Sequence, residues 1–151
     1  MEIHKMSKIK ILDAGSAIDD RGEVVFANKF DMNKIKRFYI VSNHRSNFIR
    51  AWHGHKKENK YVMVIQGAAM VCAVKIDNWK KPNKKNKVEK IILSEKKPKI
   101  LFIPKGFANG FKTLKSNTKI IFFSTATTIQ SSKDDFRFKF DYWNPWKILQ
   151  R

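Results

Sequence analysis

Short apolar or alternating runs, separated by turn residues, dominate the chain. Residues 9–12, 23–27, 36–41, 48–52, 61–66, 69–76, 88–93, 99–103, 110–114 and 118–125 are rich in Val, Ile and Phe. Such runs fit a pleated, partly buried surface and predict strands. Turn signals fall between them, at Asp20-Arg21-Gly22, Ser42-Asn43, Gln66-Gly67, Pro82-Asn83, Lys105-Gly106 and Ser116-Asn117. No stretch carries a long apolar stripe of 3.6-residue period, and 31–34 predicts one helical turn at most. Many short strands at this spacing predict an all-β barrel or jelly roll. With 151 residues the chain is expected to form a single domain, 1–151, large enough to bury a sizeable core. It shows neither repeats nor a linker. The aromatic tail, 136–151, includes Tyr142-Trp143-Asn144-Pro145-Trp146 and is expected to pack on its own barrel or on a partner subunit.

Charge changes the picture only slightly. The formal net charge of +19 first points to a polyanion. However, the positive residues are 26 lysines and 6 arginines, whereas bidentate readers of phosphate and bases favour arginine. The lysines are scattered apart from one patch, Lys80, Lys81, Lys84, Lys85 and Lys87, whose Pro82, Asn83 and Asn86 mark an exposed loop. A lysine-biased solvated surface is therefore expected, and nucleic acid is not the expected partner. Cys72, the only cysteine, lies in an apolar run and reads as a buried structural thiol in a reducing compartment. The opening Met1-Glu2-Ile3-His4-Lys5 has no apolar segment of signal-peptide type, and no run approaches the roughly 20 apolar residues that span a bilayer. These features predict a cytoplasmic protein with no membrane partner.

The candidate chemistry centres on His53-Gly54-His55. Metal-binding cupins read His-x-His, then a carboxylate and a glycine turn, then Pro-x-Gly-x-x-His. Here Lys60 stands at the carboxylate position, with Gly67 beyond it, and Pro104-Lys105-Gly106-Phe107-Ala108-Asn109 ends in asparagine. An ammonium repels a divalent ion, so no metal ligands are assigned. Strand alternation puts Ala51, His53 and His55 on one face and Arg50 and Trp52 on the other. Two imidazoles at a barrel mouth form a plausible acid/base pair; the plainer alternative is core histidines bonded to backbone carbonyls. Lys60 is suited to stabilise an oxyanion, and Arg21, in its turn, to reach a phosphate.

These segments carry a resemblance. Phe48-Ile49-Arg50-Ala51-Trp52-His53-Gly54-His55 resembles the Arg-Gly-Leu-His segment of the dTDP-4-dehydrorhamnose 3,5-epimerases. Residues 102–111 resemble that family's Ile-Pro-x-Gly-Phe-Ala-His-Gly-Phe, and Asp20-Arg21-Gly22 its Asp-x-Arg-Gly. Ile35-Lys36-Arg37-Phe38-Tyr39-Ile40 with His53-Gly54-His55-Lys56-Lys57 is similar to the dTDP-sugar 3,4-ketoisomerases. The resemblance implies a cupin, a double-stranded β-helix of jelly-roll type, that uses no metal or cofactor and is typically a homodimer. The substrate it implies is a nucleoside-diphosphate-linked 4-keto-6-deoxysugar. His53 would be the base, with His55 beside it, and Lys60 would stabilise the enolate. Arg21 and Arg50 would hold substrate or diphosphate, with Asn109 and Tyr39 also assigned to the substrate.

The departures are specific. No tyrosine occurs in 119–128, where the epimerases place their acid, and Phe122 and Thr127 occupy that region. Tyr39, Tyr142 or a water are the replacements considered. The expected reaction is epimerisation at C3 and/or C5. The alternatives are 3,4-ketoisomerisation, which neighbouring histidines suit, and a cupin that binds nucleotide sugar without turnover.

Overall fold

The computed structural model describes residues 8–151. Strands follow in the order β1 (Lys10–Asp13), β2 (Gly15–Asp19), β3 (Gly22–Phe26), β4 (Arg37–Ser42), β5 (Ile49–His55), β6 (Lys60–Gln66), β7 (Ala68–Lys75), β8 (Val88–Ser94), β9 (Lys99–Ile103), β10 (Phe107–Thr113) and β11 (Lys119–Ser124). A short helix α1 (Thr128–Ser132) and strand β12 (Phe136–Arg137) complete the order. Each of the ten runs expected to be extended overlaps a strand, with ends that differ by no more than three residues. Strand β2, helix α1 and strand β12 were not expected from periodicity, being short or exposed. Residues 31–34 form a turn, not a helical turn of their own: the Asp31 side chain takes the backbone N–H of Asn33, and Ile35 N–H closes on Met32 O.

Two five-stranded antiparallel sheets face each other, in the orders β1-β9-β6-β11-β4 and β12-β5-β10-β7-β8, while β2 and β3 form a separate hairpin. This is the expected all-β jelly roll. Alternation explains the core. Val62 and Val64, Leu101 and Ile103, Ile120 and Phe122 point inward from one sheet. Val71 and Ala73, Phe107 and Phe111 meet them from the other. Each is less than one-tenth exposed, the state in which apolar burial contributes most.

The outer face of the second sheet is covered too. Trp52, Met70, Cys72, Val74 and Ala108 pack beneath Trp143 and Trp146. The tail therefore lies on its own barrel. The Trp52 indole N–H donates to the carbonyls of Phe140 and Trp143, at 3.0 and 3.1 Å. Cys72 is wholly buried there, and burial pushes its thiol up to about 12, which leaves it protonated and inert.

Candidate active site

The two histidines and the lysine reach one recess from opposite sheets. His53 and His55 lie on β5, two residues apart and on one face, while Lys60 opens β6 and Tyr39 lies on β4. Together with Arg37, Asp135, Arg137 and α1 residues they line a cavity of about 290 Å³. Gly106 helps to place them. Its positive φ of 89° suits a residue without a Cβ, and it opens the turn into β10. Its N–H bonds to the carbonyl of His55 at 2.7 Å.

Burial sets the protonation states. Desolvation, aided by the Lys60 charge, lowers His53 to about 4, so its imidazole is neutral near pH 7. Burial, then Lys60, lowers His55 as well, against the opposing pull of Glu58. Lys60 itself is 7% exposed and its pKa is lowered by burial, with Glu58 again opposing. The Tyr39 phenol is pushed up by burial and by Glu58, so it is held in its protonated, donating form. The recess thus combines proton acceptors on one wall with an ammonium and a phenol on the other.

His55 is held more firmly than His53. Its Nδ1 lies 2.6 Å from the carbonyl of Asp134 and 3.1 Å from Glu58 Oε2. Glu58, whose side chain is fully buried, also accepts from Arg37 Nη2 at 3.3 Å, from Ser131 Oγ at 2.9 Å and from Ser124 Oγ. Asp134 caps the turn before it, accepting the backbone N–H groups of Lys56, Lys57 and Glu58. Four donors around one carboxylate offset the large cost of burying it.

The remaining expected site residues divide. Asn109 is buried next to His53 in register, and its amide donates to the His53 carbonyl at 3.4 Å. Arg50 is not brought into the recess: it is exposed and its Nε donates to Asn43 Oδ1 at 2.7 Å. Arg21 is not there either. It sits at the tip of the β2–β3 hairpin, its side chain 86% exposed and paired with Asp19. The reason is chain geometry: the hairpin pairs with neither sheet, and β3 lies against β6 and β11 while its tip carries Arg21 into solvent. Tyr142 is also elsewhere, its hydroxyl donating to the Pro82 carbonyl on the tail side. The arginines at the recess are Arg37, which lies 4.9 Å above the Tyr39 ring, and Arg137, paired with Asp135. Glu58, Asp134, Asp135, Arg37 and Arg137 were not picked out by sequence reasoning. Arg37 had a signal: it is two residues from Tyr39 on one strand and therefore shares its face.

The comparisons with known proteins agree with this fold. The chain is 29% identical over 126 residues to the spore coat polysaccharide biosynthesis protein SpsL of Bacillus subtilis (strain 168), covering 82% of each chain. The crystal structure of dTDP-4-dehydrorhamnose 3,5-epimerase from Bacillus anthracis, with TDP and PPi bound, superposes with a TM-score of 0.75 at 22% identity. That match covers 94% of this chain and 86% of the other. The WlaRB TDP-quinovose 3,4-ketoisomerase from Campylobacter jejuni gives a TM-score of 0.67 at 21% identity, covering 91% and 98%. A sequence model described as dTDP-4-dehydrorhamnose 3,5-epimerase matches residues 5–141, and on that match the chain belongs to the dTDP-4-dehydrorhamnose 3,5-epimerase family of dTDP-sugar isomerases.

Proposed function

We propose that the protein epimerises a nucleoside-diphosphate-linked 4-keto-6-deoxysugar by removing a proton beside the ketone, at C3 and/or C5. The C4 carbonyl acidifies those positions, and loss of a proton moves charge to oxygen as an enolate. The observation that carries this reading is one recess in which two depressed imidazoles face the buried Lys60. A neutral imidazole takes the proton, and the nearby ammonium stabilises the oxyanion. Epimerisation also needs a proton from the other side of the ring. Tyr39, on the sheet opposite His53, is the donor in this reading. Arg37 and Arg137, at the rim, take the role of diphosphate holders more readily than Arg21 or Arg50 of the same chain.

One observation favours a second reading, 3,4-ketoisomerisation. His53 and His55 are neighbours on one wall, an arrangement suited to moving a proton between adjacent carbons on one side of the ring. Incubation with the dTDP-4-keto-6-deoxysugar in deuterated water separates the readings. Deuterium at C3 or C5 with inverted configuration is the expected result. A product with its ketone at C3 identifies the ketoisomerase instead. Tight binding without any deuterium uptake identifies a binding protein and overturns both.

The proposal takes the protein to be cytoplasmic, a reducing setting suited to a single buried thiol. Among the described residues, no helix is long and apolar enough to cross a membrane. A homodimer also belongs to it. Phe38 and Ile40 are 63% and 52% exposed on β4, and an apolar sheet face of this kind is commonly covered by a partner. Light scattering at the mass of two chains is expected, and a single-chain mass overturns this part.

A further inference from the structure

Among the described residues, His55 Nε2 is buried without a hydrogen-bond partner, while its other nitrogen has two. An orphaned polar atom in an otherwise satisfied site calls for a physical reason. Both partners of Nδ1, the Asp134 carbonyl and the Glu58 carboxylate, are acceptors. Nδ1 must therefore carry the hydrogen, and the lone pair of the neutral ring lies on Nε2. His55 is among the residues that line the recess, and Nε2 is its one ring nitrogen with an unused lone pair.

We propose that Glu58 is a positioning residue that fixes this tautomer, and that His55, held by Glu58, takes the substrate proton, with His53 as its neighbour. The inference rests on the enolisation reading given above and adds to it which imidazole acts and what equips it. Proton transfer to Nε2 makes an imidazolium. The Glu58 carboxylate stabilises that cation through Nδ1–H without accepting the proton. Arg37, Ser124 and Ser131 hold the carboxylate in place from β4, β11 and α1. His53 has no comparable partner: among the described residues its ring takes part in no hydrogen bond or ion pair, and only its carbonyl is engaged, by Asn109. Several charged or titratable groups face His55. They are Lys60 from β6, Arg37 and Tyr39 from β4, His53 from β5, Arg137 from β12, and Asp134 and Asp135 between α1 and β12. Lys60 disfavours the imidazolium and Glu58 favours it, so the carboxylate counters the ammonium that the enolate needs nearby.

The test has two arms. Nitrogen-15 NMR of the histidine side chains in the wild-type protein reads the resting tautomer without any variant or substrate. His55 is expected as the Nδ1–H form, and an Nε2–H form overturns the proposal even if the enzyme is fully active. The second arm measures deuterium wash-in to the 4-keto nucleotide sugar for Glu58→Gln, Glu58→Asp, His55→Asn and His53→Asn across pH. Glu58→Gln is expected to lower kcat about ten- to a hundred-fold with KM little changed. It is also expected to move the acid limb of the profile to lower pH, with Glu58→Asp recovering part of the loss. His55→Asn is expected to lose more than His53→Asn. An unshifted acid limb in Glu58→Gln, or exchange that survives His55→Asn but not His53→Asn, overturns the proposal. If the wild-type protein exchanges nothing, the enolisation reading and the catalytic half of this proposal fail together. The NMR arm still decides the Glu58–His55 pair.

Discussion

The Tyr39 ring lies flat on Phe122, with centroids 5.0 Å apart and planes 5° from parallel. The two residues are also direct cross-strand partners, β4 against β11. In the reading proposed above, the Tyr39 hydroxyl on β4 serves as the acid, beside a Phe122 ring that carries no hydroxyl. Lys60 Nζ stands about equally close to both rings, at 6.0 and 5.9 Å from their centroids. Such stacking orients the ring. Tyr39→Phe keeps the stack and removes only the proton donor. Formation of the inverted sugar is expected to fall about a hundred-fold or more, while deuterium wash-in with retained configuration continues. Proton NMR of the product separates the two. Equal inversion in Tyr39→Phe and wild type removes Tyr39 as the acid.

The depressed histidines make a prediction about pH. His53 is held near 4, mainly by burial and then by Lys60, below its ordinary value of 6.5. The folded state therefore resists protonation that the unfolded chain accepts. The linked stability is complete above the unfolded value near 6.5 and is lost as pH falls toward 4. Urea midpoints measured between pH 7 and pH 4 are expected to drop less in His53→Asn than in wild type. Lys60→Met removes the second cause of the shift, so the acid limb of its activity is expected to move up toward 6.5. Its plateau is expected to drop about a hundred-fold through loss of the oxyanion charge. An unmoved acid limb in Lys60→Met argues that Lys60 does not act on the imidazoles.

Strand alternation made the inner wall of the recess legible in the sequence. His53 and His55 share parity on one run, Lys60 begins the next, and Arg37 and Tyr39 share parity on another. The Lys105-Gly106 turn was legible, but β10 begins at Phe107, three residues ahead of the expected run 110–114. Glu58 and Asp134 were not legible for a physical reason. Glu58 lies in Lys56-Lys57-Glu58-Asn59-Lys60, which reads as a solvated turn, and only the return of the chain 73 to 78 residues later buries it. Strand β12 is two residues long, too short for any period, yet it sets Arg137 opposite His53. Arg50 was assigned through resemblance, although ideal alternation already placed it with Trp52, away from the histidines. The hairpin carrying Arg21 was legible as a turn, but local sequence cannot say where a hairpin stands relative to a sheet.

The tail offers a test that separates support of the site from the site itself. Trp143 is 3% exposed and meets Trp52 edge-on, with centroids 5.5 Å apart. Its indole N–H donates to the Asn83 carbonyl, and its own carbonyl accepts from Trp52. Trp52 belongs to β5, one residue before His53, so the tail braces the strand that carries both imidazoles. Trp143→Ala removes a buried aromatic and leaves a cavity against Trp52, at an expected cost of about 3–5 kcal/mol in urea unfolding. Cys72 reports on the same layer, because it is buried beneath it with Trp52 and Trp146. Its thiol is expected to resist a thiol reagent in the wild-type protein and to label faster in Trp143→Ala under native conditions. Lys112 Nζ donates to the Trp146 carbonyl at 2.9 Å, so the far end of the tail has its own anchor and is expected to stay docked. A stability change under about 1 kcal/mol, with unchanged labelling, shows that the tail is not a brace for β5.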